Sequence, residues 1–113
     1  MNVVAQVLTP LETSLIDALA KRLSGWPQAA EILVFGSRAR GASHAESDLD
    51  LAVRFNVPRD RELERELASI AADLNEAPHL PPKFCDVVPI FSDEGNTPLA
   101  RSVAREGFVA VRF

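Results

Sequence analysis

Apolar residues recur at the spacing of one helical face in two long stretches of the chain. The first stretch follows a capping-box sequence from Thr9 to Glu12, with proline at the first helical position, and ends near Gly25. The second begins at Pro58 and carries arginines and glutamates on its other face. The recurring apolar residues are Leu11, Leu15, Ala18, Leu19 and Leu23 in the first stretch and Leu63, Leu67, Ile70, Ala71 and Leu74 in the second. The pattern predicts two amphipathic helices, and we expect the second to cover a sheet.

Short apolar runs, rich in β-branched and aromatic residues, are predicted to be strands. They occupy residues 31–37, 47–53, 83–90 and 108–112. A third helix is predicted between Asn96 or Thr97 and Gly107, because proline follows the candidate caps and glycine closes the apolar pattern. A short helix is also expected after Gly36. The order of elements therefore predicts an α/β or α+β fold, with a four-stranded mixed sheet flanked by helices.

Length and composition are those of one compact domain. The chain has 113 residues, of which 47% are hydrophobic, so we expect a single domain over residues 1–113. The formal net charge of −4 disfavours direct binding to nucleic-acid backbones, which requires a basic surface. The single cysteine, Cys85, excludes an internal disulfide, and no stretch has the apolar length of a signal or membrane span. We therefore expect a cytoplasmic protein that does not contact membranes.

The turn after the first predicted strand has the residue types that bind phosphate. Gly36 has no Cβ to obstruct a ligand, and if Ser37 opens a short helix, its hydroxyl and the free backbone N–H groups face an anion. Arg38 and Arg40 add positive charge, although their spacing means that we do not expect both to contact the same atom. No Lys-Ser or Lys-Thr pair follows Gly41, so the turn is not a P-loop. We expect it to hold a terminal phosphate of a nucleotide.

Two carboxylates follow on the next predicted strand. Strand alternation sends Asp48 and Asp50 to one side and the intervening apolar residues to the other. Like charges so close together need a cation, and Mg²⁺ prefers carboxylates combined with substrate phosphates. The pair therefore indicates a site for Mg²⁺ carrying a nucleoside triphosphate.

A third carboxylate, Asp86, is the only acid inside the later apolar strand-like run. In a two-metal phosphoryl-transfer site, such a residue binds the second ion and helps to deprotonate the attacking hydroxyl. The competing interpretation is a surface acid on an edge strand, in which case Asp93 or Glu94 is the alternative third acid. Proline-rich residues 76–82 precede this strand, and their course is not predicted by the pattern.

These residues together resemble the signature of the nucleotidyltransferases of the DNA polymerase β superfamily. That signature is Gly-Ser, about ten residues, Asp-x-Asp and a distant third acid, which correspond here to Gly36-Ser37, Asp48-Leu49-Asp50 and Asp86. More narrowly, the chain resembles the minimal nucleotidyltransferases (MNT), a small family encoded as the antitoxin partners of HEPN-domain toxins. The resemblance covers nearly the whole length and includes the closing stretch, residues 105–111.

The resemblance implies Mg²⁺-dependent transfer of AMP from ATP, with two metal ions. The acceptor implied is a tyrosine of a cognate HEPN toxin, an RNase that is silenced by the modification, so a hetero-oligomer is expected. The implied site residues are Asp48, Asp50 and Asp86 for metal binding and catalysis, and Gly36, Ser37, Arg38 and Arg40 for the nucleotide.

Two other functions remain open from the sequence. A non-catalytic antitoxin would neutralise its toxin by binding alone, and retained acids do not by themselves prove turnover. A small-molecule nucleotidyltransferase of the kanamycin-modifying kind resembles this chain only in part, because such enzymes use further helices.

Overall fold

A four-stranded mixed sheet organises the chain in the computed structural model, which describes residues 8–36, 49–76 and 85–113. The elements of these ranges are α1 (Pro10–Leu23), β1 (Ala29–Phe35), β2 (Leu49–Phe55), α2 (Arg61–Asn75), β3 (Cys85–Ile90), α3 (Pro98–Glu106) and β4 (Phe108–Arg112). The strand order is β3-β2-β1-β4; β1 runs antiparallel to β2 and β4, and β2 runs parallel to β3. The predicted fold class is confirmed. The short helix predicted after Gly36 lies outside the described residues.

Helix α1 begins with the predicted capping box. The Thr9 hydroxyl accepts the Glu12 N–H at 3.2 Å, and Glu12 Oε1 accepts the Thr9 N–H at 2.8 Å. These two bonds satisfy backbone donors that a helix start otherwise leaves unpaired. The helix ends at Leu23, with Ser24 as its C-terminal cap, one residue before Gly25. The end predicted near Gly25 is therefore confirmed.

Helix α2 begins at Arg61 rather than at Pro58, so its predicted start was three residues early. The physical reason is Asp60, whose carboxylate accepts the N–H groups of Glu62 at 2.8 Å and Leu63 at 3.3 Å. A carboxylate at this position satisfies orphan donors and interacts favourably with the helix dipole, and the proline side chain has no acceptor.

The two faces of the sheet carry different helices. Helices α1 and α2 pack on one face, where they bury the β1 and β2 side chains Ile32, Val34, Leu49, Leu51, Val53 and Phe55. Helix α3 packs on the opposite face, with Ala100 and Val103 against the strand residues Leu33, Ala52 and Ile90. Because side chains alternate along a strand, the residues that share a face with Ala52 and Ile90 include Asp50 and Asp86.

Helix α3 starts and stops as predicted. The Thr97 hydroxyl accepts the Ala100 N–H at 3.2 Å, and Pro98 occupies the first helical turn. At the other end, the Gly107 N–H donates to Val103 O at 2.8 Å. A Cβ at Gly107 would lie 2.6 Å from Val103 O and 2.9 Å from Val34 O. Glycine therefore allows the end of α3 to approach β1 closely before β4 begins.

No helix among the described residues is long and apolar enough to cross a lipid bilayer.

We expect Gly107→Ala to lower the free energy of unfolding by about 1–3 kcal/mol, because the added methyl group meets two backbone carbonyls that cannot move independently. Urea unfolding followed by circular dichroism measures the change. Gly95→Ala is the matched control, since a Cβ there meets nothing within 4 Å. Equal stability of the two variants would show that the contact between the end of α3 and β1 is not tight.

Candidate active site

Asp50 and Asp86 lie side by side at one end of the sheet. Asp50 is the second residue of β2, Asp86 is the second residue of β3, and the two are direct partners in the parallel ladder. Neighbouring strands lie about 4.8 Å apart, and partner side chains project from the same face. Asp50 is half-buried and Asp86 is exposed. The sheet thus presents two adjacent carboxylates to solvent on the face that carries α3.

The end of β1 passes close to the Asp50 carboxylate. Phe35, the last residue of β1, is the antiparallel partner of Asp50, and Gly36 follows with a φ of +73°. This φ lies in the left-handed region, where residues with a Cβ are strained. A Cβ at Gly36 would overlap Asp50 Oδ2 and lie 3.2 Å from its Cγ. Only glycine therefore fits here without displacing the carboxylate.

Cys85, the first residue of β3, places its side chain on the opposite face of the sheet from Asp50 and Asp86. Its side chain is only 4% exposed and belongs to the core beneath α1 and α2. Burial raises the pKa of the Cys85 thiol to about 12, and repulsion from the Asp86 and Asp50 carboxylates adds to this shift. The thiol is therefore neutral near pH 7 and is not an activated nucleophile.

Asn75, the last residue of α2, binds the backbone of Cys85 through both ends of its amide. Asn75 Oδ1 accepts the Cys85 N–H at 3.0 Å, and Asn75 Nδ2 donates to Cys85 O at 2.7 Å. The same Nδ2 donates to Ala71 O at 3.0 Å. Asn75 is not among the site residues predicted from the sequence, because a polar residue at the end of a helix carries no spacing signal that separates it from a solvated one.

The alternative third acids lie elsewhere. Asp93 and Glu94 follow β3 at the opposite end of that strand from Asp86. Asp93 Oδ1 accepts the Arg59 backbone N–H at 3.1 Å, and Glu94 Oε2 accepts from the Arg59 guanidinium at 2.8 Å. The hydrogen bond to Glu94 and the charges of Glu64 and Glu94 raise the pKa of Arg59. The structure therefore pairs these acids with Arg59 and brings Asp86, rather than either of them, to Asp50.

Four of the predicted site residues lie outside the described ranges. They are Ser37, Arg38, Arg40 and Asp48. Within residues 8–36, 49–76 and 85–113, no cluster of three or more His, Cys, Asp or Glu side chains is arranged to hold a metal ion. The part of the chain that the structure describes therefore contributes two carboxylates and the Gly36 backbone to the predicted site.

The chain belongs to the nucleotidyltransferase domain family, which it matches over residues 14–111. The match covers most of the chain, and the nucleotidyltransferase class predicted from the sequence is confirmed. Comparison with curated proteins gives no match.

Several solved structures share the fold, among them structures of toxin–antitoxin pairs. One is a toxin–antitoxin crystal structure with AMP-PNP, 24% identical, with a TM-score of 0.58 over 89% of this chain and 73% of the other. A mutant of the MntA–HpeT toxin–antitoxin is 25% identical, with a TM-score of 0.56 over 88% and 72%. A third is the tri-AMPylated Shewanella oneidensis HEPN toxin in complex with MNT antitoxin, 22% identical, with a TM-score of 0.54 over 91% and 71%. The resemblance to minimal nucleotidyltransferases is thus confirmed in the fold.

We expect Gly36→Ala to lower the free energy of unfolding by about 1–2 kcal/mol, the cost of a left-handed backbone for a residue with a Cβ. The methyl group should also displace the Asp50 carboxylate, because the two cannot occupy the same space. Urea unfolding measures the first effect, and the shift of the Asp50 amide in ¹H–¹⁵N spectra reports the second. In Gly25→Ala, the control, the new Cβ meets nothing within 4 Å. An unchanged Asp50 resonance in Gly36→Ala would contradict the close approach.

Proposed function

We propose that this chain is an Mg²⁺-dependent adenylyltransferase that transfers AMP from ATP to a partner protein, a HEPN-domain toxin, and thereby acts as an antitoxin. The observation that carries the proposal is the register of β2 and β3, which sets Asp50 beside Asp86. The chain belongs to the nucleotidyltransferase family. Two adjacent carboxylates that can bind a metal ion, next to the glycine that follows β1 and can bind phosphate, are groups that a phosphoryl-transfer site requires.

The residues present fit a divalent cation. Carboxylate oxygens are the ligands that Mg²⁺ prefers, and Asp50 and Asp86 project from the same face of neighbouring strands. A divalent cation held by both carboxylates would relieve the repulsion between them. Asp48, two residues before Asp50, is proposed as the third ligand. When bound, Mg²⁺ supplies neutralisation of the negative charge on the phosphates.

The chain's own residues then hold and orient the nucleotide. The Gly36 backbone and the Ser37 hydroxyl bind the β- or γ-phosphate, and Arg38 or Arg40 balances charge on the departing pyrophosphate. The acceptor hydroxyl oxygen forms a bond to the α-phosphorus, and the bond from that phosphorus to the oxygen bridging to the β-phosphorus breaks. Asp86 accepts, or orients the group that accepts, the proton of the acceptor hydroxyl. Most of the rate enhancement comes from positioning and electrostatics.

The partner class is supported by the fold neighbours. One neighbour combines a tri-AMPylated HEPN toxin with an MNT antitoxin, and another toxin–antitoxin structure holds AMP-PNP. We propose a tyrosine of the toxin as the acceptor and a hetero-oligomer as the working assembly.

We expect Asp50→Asn and Asp86→Asn each to reduce AMP transfer by at least a hundredfold, because each removes a charged ligand of the proposed metal. The assay incubates the chain, the co-expressed HEPN partner, ATP and Mg²⁺, and the intact mass of the partner is measured over time. Wild-type protein should add one or more adenylyl units. Asp48→Asn is expected to behave in the same way.

The matched control is Asp73→Asn, because Asp73 forms an exposed ion pair with Arg22 on the surface of α1 and α2. This change removes one exposed carboxylate from a helix that packs on the opposite face of the sheet from Asp50, and it should leave transfer unchanged. Wild-type rates in both Asp50→Asn and Asp86→Asn would refute the site. A stable complex that silences the toxin without any mass gain would instead identify a binding antitoxin. Transfer of AMP to a small molecule but not to the toxin would favour the kanamycin-modifying kind of activity.

A further inference from the structure

Strand β3 lies at the edge of the described sheet, with β2 on one side only. An edge strand leaves a row of backbone N–H and C=O groups without a strand partner. In an extended strand, the N–H and C=O of one residue point to the same side, and the side alternates from residue to residue. The Cys85 groups point outward to the Asn75 amide, so those of Asp86 point inward to β2.

Within the described sheet, the Asn75 amide therefore occupies the place of a neighbouring strand at the point where β3 begins. Its two hydrogen bonds to Cys85, 2.7 and 3.0 Å long, have the donor and acceptor pattern of a strand pair. The third bond, to Ala71 O, fixes the amide to the last turn of α2. Helix α2 in turn packs against the core through Leu63, Leu67, Ile70 and Leu74.

These contacts restrain the backbone next to Asp86 in two directions. The Cys85 side chain is buried under the helices, and the Cys85 backbone is held from outside the sheet by Asn75. Asp86 is exposed, so its own side chain contributes little packing to fix its place. The position of its carboxylate relative to Asp50 depends on the backbone that precedes it.

We propose that Asn75 is a positioning residue, which holds the first residue of β3 so that Asp86 faces Asp50 at the separation needed to share a divalent cation. This inference rests on the proposed function, because it assigns Asp86 to the metal. Asn75 acts through the Cys85 backbone and does not itself touch the substrate or the metal.

The test compares Asn75→Ala with Asn56→Ala. Asn56 also donates its side-chain amide to a backbone carbonyl, Pro27 O at 3.2 Å, but it follows the opposite end of β2 from Asp50. Binding of Mn²⁺ alone is measured by electron paramagnetic resonance, and AMP transfer to the HEPN partner is measured by intact mass. Asn75→Ala should weaken Mn²⁺ binding and lower kcat, each by about ten- to a hundredfold, with a much smaller change in the KM for ATP.

A purely structural role for Asn75 gives a different result. Loss of hydrogen bonds that only support the fold lowers the melting temperature but leaves Mn²⁺ affinity and kcat of the folded protein unchanged.

Hydrogen exchange tests whether the bond from the Cys85 N–H to Asn75 exists in solution. Exchange of the Cys85 amide hydrogen should accelerate in Asn75→Ala and not in Asn56→Ala, because only the former removes its acceptor.

Asn75→Asp provides a second variant of nearly the same shape. It keeps the acceptor for the Cys85 N–H and loses the donor to Cys85 O. Added negative charge alone would tighten Mn²⁺ binding, whereas loss of positioning weakens it, and we expect weaker binding. Mn²⁺ affinity equal to or above that of the wild type would overturn the inference.

The two proposals fail in different ways. If the wild type transfers AMP and both Asn75 variants match Asn56→Ala, the positioning role is wrong and the proposed function stands. If Asp86→Asn leaves both Mn²⁺ binding and transfer unchanged, the metal assignment is wrong, and the role of Asn75 fails with it.

Discussion

The parallel pairing of β2 with β3 is the interaction on which the candidate site depends. The two strands are far apart in sequence, and a shift of their register by one residue would turn one carboxylate to the opposite face. The register is held by the apolar side of each strand, where Leu49, Leu51 and Cys85 are buried beneath α1 and α2. Burial on one face thus fixes the placement of charge on the other.

One face of the sheet carries most of the hydrophobic core, and the other carries the two candidate site carboxylates. The larger core joins α1 and α2 to β1, β2 and β3, and it contains most of the fully buried side chains. The smaller core beneath α3 contains small side chains such as Ala52 and Ala100. Asp50 and Asp86 share the α3 face near the start of their strands, next to the glycine that ends β1. A pair of acids of which one is exposed and one half-buried is compatible with a stable domain, because the opposite face of the sheet carries most of the buried apolar side chains.

Three aspartates at or near the ends of helices and strands have different roles. Asp60 precedes α2 and caps it, and Asp93 follows β3 and accepts the backbone N–H of Arg59. Both of these carboxylates accept hydrogen bonds from backbone N–H groups. Asp86 instead faces a second carboxylate across the ladder. All three side chains are aspartates, so the roles differ because of the groups that each carboxylate contacts or faces.

The sequence by itself determined the elements and the class of the protein. Helical spacing, the Thr9 and Thr97 caps and the glycine stops are local signals, so helices and strands followed from them closely. The predicted start of α2 was three residues early, because Pro58 and Asp60 are both residues typical of a helix start and the structure uses Asp60 as the cap. The residue types from Gly36 to Asp86 were sufficient to predict the family. Only the tertiary structure decided that Asp86 lies opposite Asp50 and that Asn75 binds the Cys85 backbone. These contacts join separate elements of the fold, and the register of β2 and β3 depends on packing of the whole core, which no local pattern encodes.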